Sequence, residues 1–203
     1  MLHIEQPHPR LRVIGLDRAA KRNAIGVEMT LALHQALWDL RANPGIRSVV
    51  LHGIGGHFCA GMDLKDFFDN SQRDAATLRH ARAMTEEWRC HLVRQLPQRI
   101  YTAVEGYCLG AAMPLVQASH RVIAHHQAQF GLPELNFGFV PGGQIIKSVG
   151  LAAPPKALSY LALTGKLIDA QLAQRWNLVH EVVQTPPLER ALEQALQWAQ
   201  SDC

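Results

Sequence analysis

The sequence predicts a single α/β domain, and three observations carry that prediction. Segments with the pattern of strands alternate with segments of helical period along the chain, as in a sheet covered by helices. One of them, "SVVLHGI" (48–54), is apolar and β-branched, as strands of a parallel sheet buried on both faces are. The length of 203 residues, 48% of them hydrophobic and 18% charged, fits one domain with a sizeable core.

The elements follow in order. "LHIEQ" and "LRVIGL", separated by "PHP", read as an N-terminal hairpin. In "VEMTLALHQALWDLRANPG", Met29, Leu33, Leu37 and Leu40 keep a helical period, and Asn43-Pro44-Gly45 stops it. After "SVVLHGI" comes a glycine-rich loop, "GGHFCAGMDL", and then a helix from Ala75 to Leu96 ended by Pro97. "IYTAVEG" reads as a strand, "AAMPLVQASH" as a short helix and "RVIAHH" as a strand, with "FGLPELNFGFVPGG" rich in loop signals. "KALSYLALTG", "DAQLAQRW" and "LERALEQALQWAQ" read as helices, with the strand "LVHEVV" between the last two. No linker, internal repeat or low-complexity stretch divides residues 1–203. The core is expected over about 1–185, with a helical C-terminal region starting at 186–203.

Composition narrows the function. No apolar run approaches the ~18 residues of a membrane span. "MLHIEQPHPR" lacks the basic-then-apolar pattern of a signal peptide, which points to a cytoplasmic protein with no membrane partner. Cys59, Cys90, Cys108 and Cys203 form no C-x-x-C pair and read as reduced thiols. The net charge is +3, and the basic residues are scattered apart from "RAAKR" (18–22). That is too little for a nucleic-acid footprint and suits a small anionic ligand. The 11 histidines, His125 and His126 among them, show no metal-binding spacing, so no metal site is expected.

Three chemical readings compete. In "GYCLGAAM" (106–113), Cys108 sits between two glycines after a strand, like the nucleophile of a hydrolase elbow. Its partners would be Asp169 and His180, but Asp169 stands where a helix N-cap belongs. "GIGGHF" offers Gly53 and Gly55 for a dinucleotide, yet Phe58 replaces the third glycine and no helix opens at once. The third reading joins both loops. "HFCAGMDLKDFF" and "GYCLGAAM" each follow an apolar strand and could aim backbone N–H groups at one point. That makes an oxyanion hole, helped by the helix start behind the second turn.

"RAAKRNA", "HFCAGMDL", "VEGYCLGAA" and "AQFGLPELNFGFVPGG" resemble, in that order, signature segments of the crotonase (enoyl-CoA hydratase/isomerase) superfamily. "LTGKLIDAQLAQRWNLVHEVV" is similar to its usual downstream segment. The resemblance implies a spiral of repeated ββα units with a helical C-terminal region. It also implies an acyl-CoA or other pantetheine thioester as substrate, with coenzyme A as part of the substrate and no separate cofactor. Cys108 then becomes a bystander.

Residue by residue, the resemblance places the two oxyanion donors at Met62 N–H and Ala111 N–H, beside Gly61 and Gly110. Alanine at position 111, where glycine is frequent, still presents its N–H; removing such a donor typically costs ~3 kcal/mol. Lys21 and Arg22 align with the segment that meets CoA phosphates, and Ala60 and Leu64 with the loop along adenine and pantetheine. Phe67, Pro114, Pro133, Phe137 and Gly142 complete the implied substrate-binding set. Glu134 in "GLPEL" matches the later of two glutamates found in enoyl-CoA hydratases. The earlier position, three residues beyond Ala111, is Pro114, and the interval from 114 to 134 agrees with the family.

One carboxylate beside an oxyanion hole suffices for a 1,3-proton shuttle, as in the Δ3,Δ2-enoyl-CoA isomerases of the superfamily. Isomerisation is therefore expected over hydration. The loops also resemble those of feruloyl-CoA hydratase-lyases, which keep only the later acid. Phe67 stands where those enzymes have a phenol-recognising tyrosine. The family's C-terminal helices would lie largely beyond Cys203, so that region reads as truncated. A homo-oligomer, trimer or hexamer, is expected to cover the apolar surface left there. The alternatives are a catalytically reduced acyl-CoA-binding homologue and, from another class, the Cys108 hydrolase.

Overall fold

The computed structural model describes residues 1–68, 74–142 and 144–201. The expected hairpin is β1 (Leu2–His8) paired antiparallel with β2 (Leu11–Leu16). Helix α1 (Val27–Arg41) buries Met29, Leu33, Leu37 and Leu40, the residues whose spacing marks it in the sequence. Strand β3 (Ser48–Gly53) follows, then α2 (Leu64–Phe68) and α3 (Ala75–Cys90). Asp74 caps α3 by accepting the Thr77 N–H at 2.9 Å. The sequence carries α3 on to Leu96, but the helix ends at Cys90. His91 leaves helical dihedrals (φ −120°, ψ −63°), and a 3₁₀ turn, Leu92–Gln95, buries Leu92 and Val93.

Strand β4 (Arg99–Val104) leads into β5 (Tyr107–Leu109), a 3₁₀ turn at Gly110–Ala112 and α4 (Met113–Gln117). Strands β6 (Arg121–His125) and β7 (Gln129–Gly131) precede a 3₁₀ turn at Pro133–Phe137, α5 (Ile145–Val149) and α6 (Pro155–Thr164). Strand β8 (Leu167–Asp169), α7 (Ala170–Arg175), β9 (Glu181–Val183) and α8 (Pro187–Gln200) complete the order. The three-residue strands β5, β7 and β8 are too short to show a period and escape the sequence reading.

From β4 to β7 the chain alternates between two sheets, and this is the spiral. The large sheet runs β1-β2-β3-β4-β6-β9, parallel from β2 onward, while β5-β7-β8 form a small one. Each turn of the chain puts one strand in the large sheet, a second at the small sheet and then a helix: β4-β5-α4, then β6-β7-α5. Two isolated parallel bridges, Ile25 to Met62 and Cys59 to Cys108, repeat the arrangement in the earlier turns. Between the layers lie Ile14, Leu51, Val104, Val122 and Phe130, with α1 and α4.

Helix α8, within the segment 186–203, covers the other face of the large sheet. Ala191, Ala195 and Ala199 recur every four residues and are fully buried against Val13, Val50, Tyr101 and Ile123. Small side chains there let the helix backbone approach, and the Ser48 hydroxyl donates to the Ala195 carbonyl at 2.9 Å. Among the described residues, no helix is long and apolar enough to cross a membrane.

Candidate active site

The two turns that follow β3 and β5 meet because the Cys59–Cys108 bridge fixes their register. The Cys59 N–H donates to the Tyr107 carbonyl at 2.8 Å, and the Leu109 N–H donates to the Cys59 carbonyl at 3.0 Å. Three residues beyond each cysteine stand Met62 and Ala111. A Cβ on Gly61 would fall 3.7 Å from the Ala111 nitrogen and 2.9 Å from the Leu109 carbonyl oxygen. Gly61 (φ +95°) and Gly110 (φ +51°) both lie in the left-handed region, which L side chains rarely adopt.

Neither Met62 nor Ala111 spends its N–H on a backbone partner among the described residues. The bridge to Ile25 uses the groups on either side of Met62: Ile25 N–H to the Gly61 carbonyl (2.8 Å) and Asp63 N–H to the Ile25 carbonyl (2.9 Å). Ala111 lies at the start of a 3₁₀ turn, where N–H groups lack an intrahelical acceptor. The following α4 is only five residues long, so no long helix dipole stands behind the turn.

Glu134 reaches the same place from the 3₁₀ turn after β7. A Cβ on Gly110 would sit 2.7 Å from Glu134 Oε1, so only glycine leaves room for the carboxyl. Burial pushes the Glu134 carboxyl above the usual carboxylate range, against its own backbone N–H and the Arg89 charge, which favour ionisation. Its Oε2 is buried with no hydrogen-bond partner among the described residues. The carboxyl is thus partly desolvated and unpaired beside two N–H groups that have no backbone acceptor among the described residues.

A cleft of about 410 Å³ joins these groups. Of the residues singled out in the sequence, Ala60, Gly61, Met62, Leu64, Phe67, Gly110, Ala111, Pro133, Glu134, Phe137 and Gly142 all line it. Pro114 is not among the lining residues. It is the second residue of α4, buried with Met113, Leu115 and Val116, where the missing N–H costs little.

Lys21 and Arg22 also lie outside the lining, exposed on the turn next to it. The Ala60 N–H donates to the Arg22 carbonyl at 2.9 Å, which ties that basic turn to the rim. Asn23, fully buried, holds the turn from behind. Its Nδ2 donates to the Ile54 and His57 carbonyls (2.9 and 2.7 Å), and its Oδ1 accepts the Arg18 N–H (2.8 Å). The Arg22 guanidinium lies 5.4 Å over the Tyr107 ring, which stacks on His57 at 4.8 Å.

The sequence missed one whole wall. Arg82, Thr85, Glu86 and Arg89 of α3 face the cleft, as do Phe139, Val140 and Ile145. The signal was present as an i, i+3, i+4, i+7 stripe, but a polar stripe on a helix reads first as a solvated face.

The hydrolase geometry is not assembled. Cys108 is fully buried, its thiol 3.9 Å from Met113 Sδ, and burial with the neighbouring Cys59 pushes its pKa well up. Burial likewise pushes Cys59 up to about 12. Asp169 accepts the Leu172 N–H at 2.7 Å as a helix cap, and His180 Nδ1 accepts the Val122 N–H at 3.0 Å. Cys203 lies outside the described residues.

Residues 9–202 match the family described as Enoyl-CoA hydratase/isomerase. The chain is 34% identical over 185 residues to the mevalonyl-coenzyme A hydratase sidH of Aspergillus fumigatus, covering 88% of this chain and 64% of that protein. It is 29% identical over 187 residues to the hydroxycinnamoyl-CoA hydratase-lyase of Pseudomonas fluorescens, covering 92% of this chain and 67% of that one. The solved structure of Pseudomonas aeruginosa AtuE superposes with a TM-score of 0.88 at 33% identity, covering 98% of this chain and 76% of its own. The chain thus spans about two thirds to three quarters of the length of these relatives.

Proposed function

The chain belongs to the enoyl-CoA hydratase/isomerase family, and on that premise we propose that it isomerises an enoyl thioester, with Glu134 as the single proton shuttle. The Met62 and Ala111 N–H groups receive the thioester oxygen, whose charge grows as the enolate forms. Glu134 breaks a C–H bond at the α-carbon of a 3-enoyl group and returns that proton at C4, shifting the double bond to C2. The observation that carries this reading is the contact of the Glu134 carboxyl with Gly110, next to the Ala111 N–H. Its raised pKa suits a base that must also give the proton back. Lys21 and Arg22 on the rim turn meet the CoA phosphates, so coenzyme A enters as part of the substrate.

One observation favours a second reading. Glu86 faces the same cleft, and Gln144 Nε2 donates to its Oε1 at 2.7 Å. A carboxylate so held could orient a water, which would make hydration possible despite Pro114. The deciding experiment compares crotonyl-CoA hydration with isomerisation of a 3-enoyl-CoA in wild type, Glu134→Gln and Glu86→Gln. Isomerase activity lost only in Glu134→Gln supports the first reading. Hydration at a rate typical of two-acid enzymes, lost in Glu86→Gln, supports the second. No turnover of either, with binding retained, would make this a catalytically reduced acyl-CoA-binding protein.

We also infer a homo-oligomer, trimer or hexamer. Phe137 (63% exposed) and Val140 (78% exposed) stand at the cleft, and Leu151 and Leu163 are exposed elsewhere on the surface. Sedimentation showing a stable monomer at micromolar concentration would contradict it.

A further inference from the structure

A second, small hydrophobic cluster lies behind one part of the cleft. Val27 of α1, Phe67 of α2, and Leu78 and Ala81 of α3 are buried in it, with Met62 packed against them. Of these, Phe67 and Met62 also line the cleft, whereas Val27, Leu78 and Ala81 do not. Phe67, with 0% exposure, therefore stands as a partition between the cleft and the cluster.

The partition is held from two sides. Asp66 Oδ2 accepts the Val27 N–H at 2.9 Å, which ties α2 to the start of α1. Arg82 Nη2 donates to the Phe67 carbonyl at 2.8 Å, which ties it to α3. The Phe67 N–H donates to the Asp63 carbonyl at 3.1 Å, and Asp63 directly follows Met62. One helical turn, a rise of about 5.4 Å, thus separates Phe67 from the proposed oxyanion donor. An acyl chain that leaves a thioester held at the Met62 N–H and runs along α2 meets the Phe67 ring after only a few carbons. A methyl terminus gains apolar contact there, whereas a polar end would lose its water without a partner.

We propose that Phe67 closes the acyl end of the cleft and sets the upper length of the chain, so that the substrate is the thioester of a short aliphatic acid. This rests on the reading that the Met62 and Ala111 N–H groups hold a thioester, and it adds which acyl groups the cleft admits.

The test uses saturated thioesters that have no double bond to shift, so it is independent of which reaction occurs. Butyryl-, hexanoyl-, octanoyl- and decanoyl-CoA are titrated calorimetrically into the full chain. Affinity should rise from butyryl- to hexanoyl-CoA and gain nothing beyond it, although each further buried methylene would otherwise add about fourfold. Phe67→Ala opens the cleft into the cluster. It should bind octanoyl-CoA at least tenfold more tightly than wild type does, while butyryl-CoA changes less than threefold. Phe67→Leu keeps most of the packing and should move the limit the same way by a smaller step, so it is read if Phe67→Ala does not fold. Val27→Ala loosens the cluster behind the partition without opening it, and should leave the chain-length profile as in wild type. Affinity that keeps rising through decanoyl-CoA in wild type, or an unchanged profile in a folded Phe67 variant, would overturn the stop while the thioester reading stands. Binding of none of the thioesters would overturn both.

Discussion

The pair of turns that carries Met62 and Ala111 faces a helix wall built on a different plan. The turns leave the Met62 and Ala111 N–H groups without a backbone acceptor among the described residues, and their geometry is held by strand-like bonds through Cys59 and Ile25 and by two glycines with positive φ. The α3 wall works through side chains on a helix whose backbone is already satisfied. It follows that the turns tolerate almost no change of shape, whereas exchanging Arg82 or Glu86 leaves the α3 backbone intact and breaks only side-chain bonds to Phe67 and Gln144.

The largest effect that would test this division is at Glu134, the proposed proton shuttle, whose carboxyl lies against Gly110. Glu134→Gln should lower isomerase turnover by roughly 10²–10⁴-fold, the usual contribution of a positioned acid or base. Acyl-CoA affinity should change little, because the N–H donors and the basic rim are untouched. A larger loss from Glu86→Gln would move the chemistry to the helix wall and break the comparison.

Next in size is Gly110→Ala. The new Cβ would stand 2.7 Å from Glu134 Oε1 at a backbone φ of +51°. Both the carboxyl and the Ala111 N–H must then shift, and losing one such donor costs about 10²–10³ in kcat. A kcat within threefold of wild type in a folded Gly110→Ala variant would mean that the turn is not the oxyanion site.

A small effect is expected at Cys108, which supports the turn from beneath. Cys108→Ala should keep kcat within about threefold while lowering stability by about 1 kcal/mol, typical of a small buried truncation. Iodoacetamide should not label Cys108 in the folded protein, since the thiol is fully buried and its pKa is raised. Rapid labelling with loss of turnover would reopen the nucleophile reading.

The same division explains what the sequence disclosed. Backbone sites demand small residues at fixed places, so "HFCAGMDL" and "GYCLGAAM" announce the turns, and Met62, Ala111 and Glu134 can be aligned from their motifs alone. The long elements were legible because apolar residues keep a period along them, as Met29, Leu33, Leu37 and Leu40 do in α1. Strands β5, β7 and β8 were not, because three residues cannot establish a period. Asn23 escaped notice because an asparagine in a basic turn has the pattern of surface, and only the folded chain brings its three partners to it. The α3 wall was hidden for a plainer reason. Which face of an amphipathic helix meets water depends on tertiary packing, and Arg89 at 4% exposure lies on the side that does not.

The smallest effect concerns stability, and it asks whether the turns hold Glu134 at a cost. Burial raises its folded-state pKa above the unfolded value, with its own N–H and Arg89 working against that rise. A raised pKa means that folding favours the protonated carboxyl. That contribution is fully present below the unfolded pKa and is lost as pH rises through the folded one. Above that folded-state pKa the wild type therefore carries an ionised, partly desolvated carboxylate whose Oε2 has no partner among the described residues. Glutamine has nearly the same shape and no charge, so Glu134→Gln should melt higher than wild type there. An advantage of about 1 kcal/mol would appear as roughly 2–4 °C in a domain of this size. The gap should shrink as pH falls through the raised pKa, and wild-type isomerase activity should fall over the same interval as the base is protonated. Melting curves and turnover measured across pH 4–8 would follow both. A variant that melts lower than wild type at every pH would mean that the ionised carboxyl stabilises the fold. The turns would then hold Glu134 without strain.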